Sequence, residues 1–400
     1  MKILVINCGS SSLKYQLMDM EGEKVLAKGK CDKIGLNGSF IEYKCAEKNV
    51  HTEELVELKD HNDAMKVLVA KLLDKEVGAI ENISEIGATG HRIVSGGEKI
   101  KESVVVDEEV IAEIEKCIDL APLHNPGHLM GIRACNEILP GVPMVAVFDT
   151  AFHQTMPREA YLYPLPYEYY EKYKVRKYGA HGTSHRYVTD RAAALMGKDK
   201  EELNIISCHL GNGASMCAIK NGKSIDTSMG LTPLEGLMMG TRSGDMDPAI
   251  AKYIMDHENI SVDEYNNIIN KKSGLLGISG KSSDIRELKE LRDNGDEMAK
   301  LALDMQVYRV KKYIGSYMAV LGHVDVITFE GGIGEYNDDL VFQILEGLEE
   351  LGIKADPTVE YIRGAEQEIS AKDSKIKIFK IPTDEELMIA RDTLELVTNK

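Results

Sequence analysis

The feature that most constrains the fold of this 400-residue chain is an internal repeat. From residue 3, ILVINCGSSSLKYQLMDMEGEKVLAKG runs as an apolar segment, a polar turn of small residues, a second apolar segment, another turn and a third segment. Residues 204–228, NIISCHLGNGASMCAIKNGKSIDTS, follow the same plan. A repeat period near half the chain predicts two similarly folded domains, because solenoid repeats recur every ~20–50 residues.

Segments with helical periodicity alternate with these strand-like runs, and this mixture predicts an α/β fold. The predicted helices span 53–75, 107–119, 286–293, 297–320 and 384–398, and further strands are predicted in EIGATGHRIV, VPMVAVFDT and VDVITFEGG. A Pro- and Tyr-rich stretch at 156–173 interrupts both periodicities. The predicted domains are therefore 1–150 together with 385–400, to which the last helix returns, and 151–384.

Composition excludes several classes of function. The net charge of −17 opposes broad attraction to nucleic acid or to an anionic membrane, so any anion site must be local. No window approaches the ~18 apolar residues of a membrane helix, and the N-terminus lacks the apolar stretch of a signal peptide. Seven cysteines without a CxxC pair favour reduced thiols over a disulfide framework. We expect a soluble, cytoplasmic protein.

Three glycine-containing loops each follow a strand-like run: NCGSSS (7–12), HLGNGAS (209–215) and FEGGIGE (329–335). Glycine can adopt positive φ and expose consecutive backbone N–H groups to an anion, although each loop could also be a plain turn. The spacing matches neither GxxxxGK[ST] nor GxGxxG. We therefore predict a hairpin phosphate clamp in which Ser10 and Ser12 contact phosphoryl oxygens and Asn7 lies nearby.

Arginine and aspartate residues at strand ends or in glycine-rich segments are the next candidates. The planar forks of Arg92 and Arg242 suit bidentate contacts to phosphate or carboxylate, whereas the alternative is a surface ion pair. Asp149 follows the strand-like run VAVF and suits Mg²⁺, which binds nucleotide with few protein ligands, although it could also cap a turn.

Two histidine pairs, His124/His128 and His181/His185, have the i, i+4 spacing of neighbours on a helix. Three interpretations remain open: zinc ligands, structural histidines and contacts to a phosphoryl group. Neither pair has the glutamate of HExxH, and Pro126–Gly127 and Gly182 are expected to prevent helices there.

Together these motifs resemble the acetokinase family of the actin-like ATPase superfamily. The resemblance is carried in order by NCGSSSLK, GHRIVSGG, PLHNP, FDTAFHQTMP, YGAHGTSH, HLGNGAS, DTSMGLTPLEGLMMGTRSGDMDP and GGIGE. It implies two duplicated ribonuclease H-like (actin-like ATPase) domains of βββαβαβα type around a central cleft. It also implies a homodimer that uses Mg²⁺, with Mn²⁺ as a possible substitute, and that transfers a phosphoryl group reversibly between ATP and acetate to give ADP and acetyl phosphate.

The resemblance also assigns residues by motif. The catalytic group is Arg92, His124, Asp149, His181 and Arg242, and the acid-binding group is Arg92, Val94, Leu123, Pro233 and Arg242. The nucleotide group is Ser12, Lys14, His209, Leu210, Gly211, Asn212, Gly213, Asp284, Ile285, Arg286, Gly331, Gly332, Ile333 and Gly334. The metal group is Asn7, Asp149 and Glu385.

A carboxylate acceptor is already ionised at pH 7, so no strong general base is needed and we expect direct in-line transfer with His181 as an electrostatic donor. Ala180 stands where the family usually has Phe, which predicts better tolerance of propionate. Glu330 and Tyr336 replace the Thr and Asn that usually flank the glycines, which leaves the nucleobase preference open. The alternatives are a propionate kinase of the same family and an actin-like ATP-driven switch.

Overall fold

The computed structural model describes residues 1–122, 124–360 and 362–399. The chain divides into two compact units, Met1–Phe152 with Asp384–Lys400 (unit 1) and His153–Thr383 (unit 2). Across the described ranges, no helix combines the length and the apolar character that a membrane crossing needs. The seven cysteines all lie within these ranges and are buried free thiols.

Strands and helices alternate along both units. The strands are β1 (Lys2–Cys8), β2 (Ser12–Asp19), β3 (Lys24–Asp32), β4 (Phe40–Cys45), β5 (Val50–Leu55), β6 (Ile86–Ile93), β7 (Val104–Val105), β8 (Met144–Phe148), β9 (Asn204–Leu210), β10 (Ala214–Lys220), β11 (Lys223–Thr227), β12 (Val326–Glu330), β13 (Gln367–Glu368) and β14 (Lys377–Lys380). The helices are α1 (His61–Leu72), α2 (Glu108–Lys116), α3 (Asn125–Ile138), α4 (Arg158–Tyr161), α5 (Glu168–Tyr173), α6 (Gly182–Met196), α7 (Ala249–Glu258), α8 (Val262–Lys271), α9 (Gly274–Ser279), α10 (Ile285–Asp293), α11 (Glu297–Leu321), α12 (Gly331–Tyr336), α13 (Asp338–Leu345) and α14 (Glu385–Thr398).

Unit 1 is built on one sheet with the strand order β5-β4-β3-β2-β1-β6-β8-β7. Strands β1 to β5 form an antiparallel meander, and β1, β6 and β8 are parallel to one another. The apolar run of β1 is explained by burial on both faces, as is usual for parallel strands. Ile3 and Val5 pack in a cluster with α14, whereas Leu4 and Ile6 pack in the larger core with α1 and α3.

Unit 2 repeats this plan in the order β11-β10-β9-β12-β14-β13. The antiparallel trio β9, β10 and β11 corresponds to β1, β2 and β3, and the parallel strands β12 and β14 correspond to β6 and β8. The predicted α/β class and the duplication are both confirmed, because the two sheets share strand order and direction over five consecutive strands.

The two faces of the unit 2 sheet differ in chemistry. Since side chains alternate along a strand, Ile206, Cys208 and Leu210 of β9 enter the apolar core that α11 also lines. The opposite face of the same strand carries Ser207 and contacts α6. A buried polar layer therefore lies between α6 and the sheet.

Several predicted helices agree with the structure, but the predicted helix at 53–75 is wrong in its first part. Residues Val50–Leu55 form the edge strand β5, and the helix begins only at His61 after the N-cap Asp60. The edge strand is largely exposed, so its charged sequence lacks the alternating apolar pattern by which a half-buried strand is predicted.

The expectation that Pro126–Gly127 and Gly182 prevent helices is also wrong. Helix α3 begins at Asn125 with proline in its first turn, and α6 begins at Gly182. Proline is tolerated at a helix start because the N–H groups of the first turn have no partner within the helix. His124 and His181 are the N-cap residues of these two helices.

Candidate active-site residues

In unit 1 the candidate residues gather around Arg92, near the carboxyl end of β6. Asp149 directly follows β8, the parallel neighbour of β6. Its carboxylate accepts hydrogen bonds from Nη2 of Arg92 at 2.5 Å and from Nε of Arg92 at 3.3 Å. Asp149 is fully buried, and the Arg92 side chain is 17% exposed. Burial disfavours the charged guanidinium, but the carboxylates of Asp149 and Glu385 outweigh this, so the pKa of Arg92 lies above its usual value.

Helix α14 brings a second carboxylate to the same arginine. Glu385 is the first residue of α14, and its Oε2 atom lies 3.7 Å from Nε of Arg92. Asn7 of β1 and Lys14 of β2 are register partners and line a small pocket with Arg92 and Glu385. Asn7, Lys14, Arg92 and Glu385, which the resemblance assigns to different groups, are therefore neighbours in unit 1.

The turn between β1 and β2 packs against the start of α3. Gly9 donates its N–H to the Ser12 carbonyl at 2.7 Å, which closes the turn. A Cβ atom added at Gly127 would lie 2.7 Å from the Gly9 carbonyl carbon, so only glycine permits this close approach. The NCGSSS segment is thus a tight hairpin, and Ser12 begins its second strand.

The start of α3 also lies near Arg92. His128 is buried, and burial, together with the nearby Arg92 guanidinium, lowers its pKa well below the usual value. The rings of His124 and His128 stack at 6.5 Å. Val94, predicted to contact the acid, is buried just beyond β6, whereas Leu123 lies outside the described residues.

The oxygen donors of unit 1 fit a magnesium ion. The carboxylates of Asp149 and Glu385 flank one guanidinium, and Asn7 lines the same pocket as Glu385. Within the described ranges no group of three His, Cys, Asp or Glu side chains is placed to hold a metal. Magnesium does not require such a group, because it commonly takes one or two carboxylates and completes its shell with water and substrate phosphates.

In unit 2, His181 and Arg242 meet at the HLGNG loop. A Cβ atom built on Gly213 would lie 3.6 Å from Nε2 of His181 and 3.8 Å from Nη1 of Arg242. His181 is held in the left-handed region at φ 55°, an uncommon conformation for a non-glycine residue, and its ring stacks on His209 at 4.2 Å. Two cationic or donor groups therefore face the same glycine turn.

Arg242 is fixed by the backbone of a loop without regular secondary structure. Its Nη1 atom donates to the Pro233 carbonyl at 3.0 Å, which brings two residues predicted to bind the acid together. Burial lowers the pKa of Arg242 below its usual value. The guanidinium nevertheless stays charged, because arginine titrates far above neutral pH.

The remaining predicted nucleotide residues of unit 2 lie in three linked segments. Gly331, the first residue of α12, has φ +76°. A Cβ atom there would lie 2.7 Å from the Leu210 carbonyl oxygen, so the start of α12 is in contact with the HLGNG turn (209–213). A side chain at Gly240 would overlap the Asn212 amide, which ties this loop to the segment before Arg242. Most members of the nucleotide group, His209 to Gly213 and Gly331 to Gly334, are thereby brought together.

The third segment is the start of α10. Asp284 is its N-cap and accepts from the backbone N–H of Arg286 at 2.8 Å, and the two side chains form an ion pair at 2.6 Å. One turn later, Lys289 pairs with Asp339 of α13 at 2.6 Å, which places α10 beside the helix that follows α12. Ser12 and Lys14, predicted for the same function, belong to unit 1.

Sequence reasoning missed a chain of buried polar side chains that leads away from His181. Nδ1 of His181 lies 2.9 Å from the Ser215 hydroxyl, and Nε2 of His185 lies 2.8 Å from that hydroxyl. Nδ1 of His185 lies 2.6 Å from the Ser207 hydroxyl, which is 2.5 Å from Oε1 of Glu330. In ISCHL (206–210), the polar residues Ser207 and His209 alternate with apolar residues and so share one face of the strand. This alternation is the sequence signal that could have indicated a polar face.

Ala180 is buried in the apolar core of unit 2, and its carbonyl oxygen lies 2.9 Å from Nε2 of His153. A larger side chain at this position would therefore have to displace core residues. The predicted tolerance of propionate, which is based on the small size of this side chain, stays a prediction.

Comparisons with known proteins identify the family of the chain. The sequence profile of the acetokinase family matches residues 2–391. An acetate kinase from Acetivibrio thermocellus is 57% identical over 400 residues, covering all of both chains. Crystal structures of an acetate kinase from Porphyromonas gingivalis (48% identity, TM-score 0.95) and of a propionate kinase from Francisella tularensis (44%, TM-score 0.92) each match over 99% of both chains.

The fold and these matches define a two-unit kinase-type α/β protein with the actin-like ATPase fold. The chain belongs to the acetokinase family.

Proposed function

We propose that this chain is an acetate kinase, which transfers the γ-phosphoryl group of ATP to acetate and catalyses the reverse reaction. The observation that carries the proposal is the approach of His181 and Arg242 to Gly213, in a chain of the acetokinase family. Two side chains that can contact phosphoryl oxygens at a glycine turn are what such a transfer requires.

We assign nucleotide binding mainly to unit 2. The contact between the HLGNG turn and Gly331, the first residue of α12, supports this assignment, because backbone N–H groups in glycine turns bind phosphate oxygens. In unit 1, Arg92 is assigned to the acid, with Val94 and Leu123 beside its methyl group. Pro233 and Arg242 of unit 2, which hydrogen-bond to each other, are assigned to the acid as well.

The chemistry needs alignment and charge neutralisation more than covalent participation. Acetate is an anion at pH 7, so it attacks the γ-phosphorus through a carboxylate oxygen without losing a proton to the protein. Arg242 and His181 stabilise the charge on the transferring oxygens, and ADP leaves on the opposite side. His124 is assigned a contact near the acid, and no phosphorylated side chain is formed.

Magnesium is assigned to the oxygen donors of Asp149, Glu385 and Asn7, with Mn²⁺ as a possible substitute. When bound, the ion neutralises charge on the nucleotide phosphates. Arg92 holds both carboxylates in place and so keeps their oxygens oriented for that purpose.

A propionate kinase is the second candidate, and the 44% identical propionate kinase from Francisella tularensis favours it. The discriminating measurement is kcat/KM for acetate and for propionate. Each methylene in an apolar pocket is worth ~1–3 kcal/mol, so the two acids should differ by roughly 10-fold or more in one direction.

We further propose that the protein is a homodimer in the cytoplasm, as the resemblance and the cysteine content predict. Sedimentation velocity would give the mass of two 44.3 kDa chains, whereas a single-chain mass would contradict the dimer.

The assay that tests the proposed function traps acetyl phosphate as acetyl hydroxamate in the presence of ATP, acetate, Mg²⁺ and hydroxylamine. An acetate kinase forms hydroxamate in proportion to ADP. An ATP-driven switch would release ADP and inorganic phosphate without hydroxamate, and that result would overturn the proposal.

A further inference from the structure

Glu330 is a buried carboxyl group that the proposed mechanism does not use. It is the last residue of β12, it directly precedes Gly331 at the start of α12, and it is fully buried. Its Oε1 atom contacts the Ser207 hydroxyl, and among the described residues its Oε2 atom has no hydrogen-bond partner. An ionised carboxylate with an unsatisfied buried oxygen is costly, which favours the neutral acid.

The groups that face Glu330 do not compensate a negative charge. They are His185 of α6, Cys208 and His209 of β9, Cys217 of β10 and Glu335 of α12, whereas the nearby Lys380 of β14 is paired with Asp338. Burial lowers the pKa of His185 well below its usual value, so this imidazole is neutral as well. Burial raises the pKa of Glu330 to about 8, although Ser207, Thr328 and the backbone N–H of Cys208 oppose the shift.

We propose that Glu330 is a positioning residue for phosphoryl transfer, which acts through Ser207, His185 and Ser215 to fix the tautomer of His181. The proposal rests on the proposed function for its catalytic meaning and on the four contacts of 2.5–2.9 Å for its geometry. Each hydroxyl in the chain has one proton to donate, so the direction of one hydrogen bond sets the next.

With Glu330 neutral, its O–H donates to Ser207, which in turn donates to Nδ1 of His185. Nε2–H of His185 then donates to Ser215, and Ser215 donates to Nδ1 of His181. The proton of neutral His181 must therefore reside on Nε2, the atom 3.6 Å from the built Cβ position at Gly213. This tautomer presents a donor to a phosphoryl oxygen.

With Glu330 ionised, Ser207 donates to the carboxylate and every hydrogen bond in the chain reverses. His181 then keeps its proton on Nδ1 to donate to Ser215, and Nε2 presents a lone pair instead of a donor. On ionisation each proton moves one position along the chain from Glu330 toward His181, and the single proton lost to solvent leaves from Nε2 of His181, because Glu330 itself is fully buried. A neutral Glu330 can occupy this buried strand end, directly before the glycine-rich start of α12, without an opposite charge beside it.

The first test measures the His181 tautomer directly, by ¹⁵N correlation spectra of the imidazoles in the full-length protein without substrate. We expect the Nε2–H form at pH 6.5 and loss of that form above pH about 8. In Glu330→Gln the amide donates to Ser207 at every pH, so the Nε2–H form should persist to pH 9. A His181 tautomer that does not change with pH in the wild type would overturn the proposal.

The second test is the pH profile of kcat. Wild-type kcat should fall above pH about 8, and Glu330→Gln should lose this decrease. Ser207→Ala, which breaks the chain without altering the carboxyl group, should lower kcat about 10-fold or more at neutral pH with little change in KM for ATP. The matched control is Asp226→Asn, another carboxyl of unit 2 whose pKa burial raises.

An alkaline decrease that is unchanged in both Glu330→Gln and Ser207→Ala would contradict the proposal, as would its loss in Asp226→Asn. If Glu330→Gln does not fold, the wild-type spectra and Ser207→Ala still decide. Because the spectra require no catalysis, failure of this inference is distinguishable from failure of the proposed acetate kinase activity.

Discussion

At the scale of single residues, the proposed chemistry depends on two guanidinium groups held by different means. Arg92 is paired with a fully buried carboxylate, whereas Arg242 is held by a backbone carbonyl and faces no carboxylate within 4 Å among the described ion pairs. An arginine without a carboxylate partner keeps its positive charge available for an anionic substrate. Arg242 is therefore the residue whose charge and shape most directly serve the transferring group.

Arg242→Lys should lower kcat by roughly 100-fold or more, because lysine keeps the charge but loses the planar fork, and arginines in related transfers contribute ~10³–10⁵. Steady-state kinetics at saturating ATP and acetate measure the effect. Arg191→Lys is the matched control, since Arg191 forms a half-exposed ion pair with Glu366 elsewhere in unit 2. Near-wild-type turnover in Arg242→Lys would remove this residue from its assigned role.

Asp149→Ala should destabilise unit 1 by about 3 kcal/mol, because it removes the main partner of the largely buried Arg92 charge. Native-state hydrogen exchange of the β6 and β8 amides measures the free energy of opening. The comparison is Glu366→Gln, which breaks the half-exposed pair with Arg191 and should cost under ~1 kcal/mol. Equal and small effects of the two substitutions would contradict the assignment of Arg92–Asp149 as a buried pair.

At the scale of secondary-structure elements, the β1–β2 turn and α3 of unit 1 are in close backbone contact. Gly127→Ala places a methyl group against the backbone of Gly9 and should destabilise by about 1–3 kcal/mol. Gly315→Ala within α11 meets no atom within 4 Å and should stabilise by roughly 0.5–1 kcal/mol. Urea unfolding of both variants measures the difference, and effects of the same sign would be inconsistent with this packing.

The elements also show which parts of the fold could be predicted from the sequence. The strand repeat predicted the duplication because apolar runs and glycine turns are local signals that survive in both sheets. The edge strand β5 was mistaken for helix because its exposed, charged residues carry no burial pattern. The starts of α3 and α6 were missed because proline and glycine were treated as helix breakers, although both are acceptable in a first turn.

The candidate site was predictable to a similar degree. The resemblance assigned Arg92, Asp149, His181 and Arg242 to one catalytic group, and the structure brings Arg92 to Asp149 in unit 1 and His181 to Arg242 in unit 2. The chain from His181 to Glu330 could not be predicted, because it joins α6, β9, β10 and β12 through side chains that are far apart in sequence. Only the register of β9 with β12 places Glu330 opposite His209, on the face that carries Ser207.

At the scale of the whole molecule, both units bury a neutral histidine, and this makes both sensitive to acid. Burial lowers the pKa of His91 in unit 1 and of His153 in unit 2 to about 4. In the unfolded chain these histidines have a pKa of ~6.5. Their contribution to the free energy of unfolding is therefore complete above that pH and is lost as the pH falls toward 4. Each histidine contributes up to about 3 kcal/mol.

His91→Gln should reduce the acid sensitivity of unit 1 alone. Hydrogen exchange at pH 7.5 and pH 5, corrected for intrinsic rates, compares the β6 amides with the β9 amides in one experiment. The β6 amides should lose less stability at pH 5 than in the wild type, while the β9 amides should be unchanged. The control His257→Gln removes an exposed histidine, and a similar effect there would contradict the role given to His91.

We also propose that the two compact units correspond to the predicted domains, 1–150 with 385–400 and 151–384.

We propose above that a phosphoryl group passes directly from ATP to acetate. A rapid-quench single turnover with [γ-³²P]ATP, Mg²⁺ and acetate tests it. With direct transfer, ³²P appears in acetyl phosphate during the first turnover and the protein never carries label. Label that forms on the protein and decays at the rate of turnover would contradict it.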